Sequence, residues 1–126
     1  MHKSKLAGFI IDCQSTDLTA SADFWGGALG MRLKQLPSDE ADRYIRLVDA
    51  HLDLHIEVQT VSHPSRVHLD IETDDVPAEV ARLERLGAKA VGAVHTWVVM
   101  EAPTGHRFCV VRASSKDFDA LATQWD

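Results

Sequence analysis

Cysteine is scarce in this chain: Cys13 and Cys109 are the only two among 126 residues. They lie far apart and share no zinc-type spacing, which excludes a disulfide framework and a cysteine-rich metal site. Basic residues are short as well, 13 Lys and Arg against 19 Asp and Glu, and a formal charge of −6 leaves no basic face to track phosphates. The expectation is therefore a protein that binds no nucleic acid, and the same charge disfavours adhesion to an anionic membrane. No apolar run approaches the roughly 20 residues of a membrane span. The opening stretch MHKSKLAGFIID has no apolar core of signal-peptide length before Asp12, so it reads as mature protein. Two isolated thiols then point to the reducing cytoplasm. A Gly-rich phosphate loop, a nucleophile elbow and a His-Glu-x-x-His helix are all missing.

What is present is a globular balance, 45% hydrophobic and 25% charged, in a chain long enough for one real core. The periodicity states one order twice. KLAGFIIDC is a β-rich strand leading into STDLTASADFWGGALG, where Leu18, Ala22, Trp25 and Leu29 fall at helical spacing behind the capping Asp17, and Gly30 ends the helix. MRLKQL, RYIRLV and LDLHIEVQ follow as short strands. The second half opens with RVHLDIE and continues into DDVPAEVARLERLG, with Val76, Val80, Leu83 and Leu86 as its stripe. AKAVGAV, TWVVMEAP and RFCVVRA are its three further strands. The halves share a register: Asp17 overlays Asp75, Leu18 overlays Val76 and Trp25 overlays Leu83. The tail SSKDFDALATQWD, with Phe118 and Trp125, predicts a short helix docking on the body or on a second subunit.

Side chains alternate along a strand. Leu52, Leu54, Ile56 and Val58 therefore form one face, and Asp53, His55, Glu57 and Gln59 the other. In RVHLDIE the apolar face is Val67, Leu69 and Ile71, and the polar face is Arg66, His68, Asp70 and Glu72. The apolar faces are expected to pack on the helices. The polar faces then either meet water, their charges pairing across strands, or line a cavity. In a cavity, carboxylates and imidazoles suit Zn²⁺, Fe²⁺, Ni²⁺ or Mn²⁺, and they also suit proton transfer.

The duplicated order, with STDLTASADFWGGALGM in one half and HLDIETDDVPAEVARLERLGA then MEAPTGHRFCVV in the other, resembles the vicinal oxygen chelate superfamily. Within it the chain looks like the glyoxalase-like branch, which also includes bleomycin resistance proteins and ring-cleaving dioxygenases. The resemblance implies an α+β fold: two βαβββ units forming a curved, mostly antiparallel eight-stranded sheet around a cavity, helices outside. It implies one domain over residues 1–126, with repeats at about 6–60 and 66–112 and a tail at 113–126, and a homodimer, since members commonly pair.

Metal-using members draw ligands from the first and last strands of each half. Carried over, the second half offers His68 in its first strand and Cys109 in its last, where glutamate is frequent. The first half offers Ile10, or Gly8 in a shifted register, neither of which binds a metal. Its last strand offers Asp53, His55 or Glu57. The metal candidates are thus His68 and Glu57, for a divalent Zn, Ni, Mn or Fe ion, in an incomplete set. Glu57 is also the candidate general base. The expected ligand-binding residues are His55, Glu57, His68, Asp70, Trp97 and Cys109, with Trp97 able to stack on a flat ligand. Two functions follow from the resemblance: a binder of a small molecule in the sheet cavity, or a metal-dependent lyase, isomerase or dioxygenase acting on a vicinal-oxygen substrate.

Overall fold

The structure is a computed structural model, and it describes residues 1–37, 43–49 and 54–126. Its strands and helices are β1 (His2–Gln14), α1 (Leu18–Leu29), β2 (Arg32–Gln35), β3 (Tyr44–Val48), β4 (His55–Val61), β5 (Arg66–Thr73), α2 (Val76–Arg85), β6 (Lys89–Val94), β7 (Trp97–Glu101), β8 (Arg107–Arg112), α3 (Phe118–Leu121) and β9 (Thr123–Trp125). This is the expected α+β class. No described helix is long and apolar enough to cross a membrane.

The chain divides into two compact units, one of Gly8–Val67 and one of Met1–Ala7 with His68–Asp126. In the first unit the strands run β2-β3-β4-β1. β1 and β4 are parallel, with Gly8 opposite His55 and Ile10 opposite Glu57, whereas β3 is antiparallel to both β2 and β4. In the second unit the order is β5-β8-β7-β6, again with one parallel pair, β5 with β8, and antiparallel pairs beyond it. The shared order is the repeated β-α-β-β-β plan in three dimensions.

Each helix starts where its aspartate stands. Asp17 and Asp75 both accept a hydrogen bond at 3.0 Å, from the amides of Ala20 and Ala78, so each satisfies one of the orphan donors of a first turn. Asp75→Ala is expected to lower stability by about 1 kcal/mol, read as a shifted urea midpoint at unchanged slope. An unshifted midpoint would show that the cap contributes nothing.

Below the caps, α1 seats Ala22 on Ile11, Met31, Ile45, Leu47, Ile56 and Val58, a core internal to the first unit. α2 seats Leu83 on Ala88, Met100, Phe108 and Val110 in the second. Leu29 and Leu86, the last members of the two expected stripes, lie at the helix ends and are exposed.

Three expectations need correction. The tail forms a ninth strand, β9, so Trp125 sits in a strand antiparallel to His2–Ser4 rather than in a helix, although Phe118 is buried in α3 as a docking residue. The apolar face of β5 does not pack throughout on a helix: Val67 and Leu69 are 56% and 49% exposed, while Asp70 and Glu72 on the polar face are buried. Eight strand residues span about 26 Å and a ten-residue helix only about 15 Å, so α2 cannot cover the whole strand. Finally, the most deeply buried residue of α2 is a carboxylate, Glu79, which the apolar stripe did not anticipate.

Candidate functional site

Among the described residues two polar clusters stand out, one in each unit. In the second unit, β5 and β8 run parallel with Asp70 opposite Cys109, and His68 stands two residues earlier on the same face of β5. The three side chains converge, so that one ligand atom from each of His68, Asp70 and Cys109 lies within 4.8 Å of the others. His68 Nε2 is 3.8 Å from Asp70 Oδ1. Asp70 and Cys109 are buried, and His68 is half-buried. Zinc bonds of about 2.0–2.3 Å place tetrahedral ligand atoms about 3.5 Å apart, within reach of this cluster after small rotations. An imidazole, a carboxylate and a thiol form a donor set suited to a borderline divalent ion, with a position left for water or ligand.

In the first unit the cluster is Arg46, His55 and Glu57, on the face of β3 and β4 turned away from Ile45, Leu47, Ile56 and Val58. Arg46 Nη2 hydrogen-bonds His55 Nδ1 and reaches Glu57 Oε2 at 3.3 Å, and His55 Nε2 is 2.9 Å from the same oxygen. A guanidinium can only donate, so Nδ1 is the accepting nitrogen and Nε2–H points at the carboxylate. Burial by itself would raise the Glu57 pKa, but the hydrogen bond and charge of His55, joined by Arg46, outweigh it and hold the carboxyl below its ordinary range. Glu57 thus meets both Arg46 and His55 at one carboxylate oxygen.

The other expected residues are also placed. Trp97 shares the face of Cys109 but stacks its ring on His95, centroids 5.5 Å apart. Ile10 is buried in the first-half ligand position, opposite Glu57, where it supplies no donor. Arg107 pairs with Glu101 at 3.5 Å. His106 is exposed and His63 half-buried, both in connections between strands beside Gly105 and Pro64. Asp53 lies outside the described residues. Of the metal candidates, Glu57 lies in the first unit and His68 in the second.

Arg46 was missed in the sequence, although alternation in YIRLV places it on the polar face beside Glu57. A second omission joins the chain ends to α2. The buried Glu79 takes two hydrogen bonds from Arg82 at 2.8 Å and lies 2.8 Å from His2 Nε2. The Arg82 guanidinium lies 3.8 Å over the Trp125 ring, whose Nε1–H donates to Ser4.

Comparison with known proteins agrees with this architecture. A hypothetical protein from Bacillus halodurans C-125 superposes with a TM-score of 0.64 at 14% identity, covering 90% of this chain and 96% of that one. Methylmalonyl-CoA epimerase from Mycobacterium tuberculosis gives 0.64 at 16% identity, over 88% of this chain and 89% of that one. An extradiol ring-cleaving dioxygenase from B. fuscum gives 0.59 at 15%, over 88% of this chain and 33% of that one. Identities this low establish the fold alone. No curated protein matches the chain. The profile of the glyoxalase-like domain matches residues 8–111, and the chain therefore belongs to the glyoxalase-like domain family.

Proposed function

We propose that the chain binds a small oxygen-bearing molecule at His68, Asp70 and Cys109, with a divalent metal ion held by the same three side chains. The observation that carries the reading is their convergence within 4.8 Å. His68 would contribute an imidazole nitrogen, Asp70 an oxygen and Cys109 a thiolate. When bound, such an ion acts as a Lewis acid on ligand oxygens. The chain's own share is to fix His68 on a buried strand face, to bring Asp70 and Cys109 together across one ladder rung, and to exclude water by burying both. This set draws on the second unit alone, and Ile10 leaves the usual four-position ligand set of the superfamily incomplete.

The neighbours suggest ligand classes to try first. One is an epimerase named for methylmalonyl-CoA, solved in complex with it, and another cleaves rings. Acyl thioesters and catechol-like diols both present the oxygens a metal of this kind would bind. Two free thiols favour a reducing cytoplasm, and a homodimer is the assembly we expect, to be read by analytical ultracentrifugation.

The test is zinc titration by calorimetry, with elemental analysis of protein purified without chelators. Wild type is expected to take up about one equivalent, with His68→Ala and Cys109→Ser each weakening affinity by at least about 100-fold as ligands are lost. Uptake unchanged in both variants would refute the assignment. Complete absence of uptake would leave a metal-free small-molecule site beside Trp97 as the reading to pursue.

A further inference from the structure

The first unit carries a row of cations that its own described residues do not balance. Arg32 and Lys34 of β2 lie on the same face as Arg46, because β2 pairs antiparallel with β3 in a register that puts Lys34 directly opposite Arg46 and Arg32 opposite Val48. Like charges directly opposite each other in a ladder repel, and the diagonal neighbour, here Arg32, is only about 7–8 Å away. One carboxylate, Glu57, answers this row at Arg46, and it is shared with His55. Arg32 and Lys34 are exposed and form no ion pair with any described residue. The face is the one turned away from α1, since Leu33 of β2 is the side chain that meets Gly26 of the helix.

Arg46 is also held in a particular way. Its Nη2 is committed to His55 and Glu57, which fixes the guanidinium plane. Its Nε is buried and has no hydrogen-bond partner among the described residues. A buried donor without an acceptor is destabilising, by about 1–3 kcal/mol for a typical group. Glu57 shares its Oε2 between Arg46 and His55 and cannot serve every donor of the fork at once. An arginine so held, flanked by two exposed cations that pair with no described residue, presents positive charge to an oxyanion.

We propose that Arg46, with Lys34 and Arg32, seats the oxyanion of a ligand, a carboxylate or a phosphate ester, on the polar face of β2 and β3 turned away from α1. The anion neutralises the opposed pair Lys34 and Arg46, meeting Arg46 at the exposed part of its side chain. Glu57 and His55 act as positioning residues that hold Arg46. None of these side chains belongs to the metal cluster, so the proposal stands or falls separately from the metal reading.

The experiment is calorimetric titration of the full chain with inorganic phosphate and with malonate, at low ionic strength and repeated at higher salt. Saturable binding of at least one probe is expected, weakened by salt, with Lys34→Gln and Arg32→Gln each raising Kd on the order of tenfold. Preference for phosphate identifies a phosphate-bearing ligand, and preference for malonate a carboxylate. Arg46→Lys should remove most of the binding, because a point charge cannot reproduce the fork. Should that variant fail to fold, the two exposed-residue variants still decide the matter. No saturation by either probe, or a Kd unchanged in both Lys34→Gln and Arg32→Gln, overturns the proposal. Zinc uptake measured on the same variants should match wild type.

Discussion

Gly8→Ala is expected to leave little or no folded protein. A Cβ at this position would lie 1.9 Å from the carbonyl oxygen of His55, 2.5 Å from its carbonyl carbon and 2.6 Å from its nitrogen. All three are backbone atoms, so no rotamer change relieves the collision. β1 and β4 must part, and they are parallel neighbours registered at this very rung. The same ladder aligns Ile10 with Glu57 and Ile11 with Val58, so separation opens the seam on which Ile11, Ile56 and Val58 pack with Ala22. Overpacking against flexible side chains costs about 1–3 kcal/mol. A collision between two strand backbones should exceed that, at roughly 4 kcal/mol or more, within a total stability of about 5–15 kcal/mol. Soluble yield and urea denaturation read the effect. A Gly8→Ala protein with the wild-type midpoint would mean that the strands are not this close. Any that folds should also bind anions more weakly, because His55 and Glu57 move with β4.

Arg82→Ala is the second large effect. Glu79 has no exposed surface, and Arg82 holds both of its oxygens while covering the Trp125 ring. Removing the arginine strands a buried carboxylate, whose loss of partner typically costs about 3–5 kcal/mol, and it also uncovers the strand that pins the chain ends. The pH dependence follows from the same group. Burial of Glu79 opposes ionisation, but hydrogen bonds from Arg82, His2 and Ser4 and the arginine's charge more than offset it, so its pKa lies below the ordinary glutamate value of 4.5. Glu57 is lowered likewise. For a lowered carboxyl, the stabilisation is complete above the ordinary value and disappears as pH falls through the folded value. Wild-type stability should therefore hold at neutral pH and decline from about pH 4.5 downward. Arg82→Ala should be less stable throughout and lose less on acidification, because its Glu79 has little ionisation energy left to forfeit. Parallel pH curves for the two proteins would show that Glu79 and Arg82 are not coupled.

The duplicated order of strands and helices was legible in the chain because it rests on local chemistry. Asp17 and Asp75 cap, Gly30 turns in the left-handed region, and alternation in HIEV and RVHLDIE assigns faces without reference to any partner. Cys109 became a candidate donor through the resemblance, which places a ligand in the last strand of the second half. Alternation could not say which residues would meet. Asp70 joins Cys109 only because β5 and β8 are parallel in a particular register, and Lys34 opposes Arg46 only through the register of β2 on β3. Such long-range pairing has no signature within either strand. The exposure of Val67 and Leu69 likewise depends on where α2 ends over the sheet, and the strand form of Trp125 depends on the open edge that His2–Ser4 offers. Residue types and their faces belong to the sequence by itself. Proximity, and with it the meeting of His68 and Asp70 with Cys109 and of Lys34 with Arg46, was decided by how separate strands come to lie side by side.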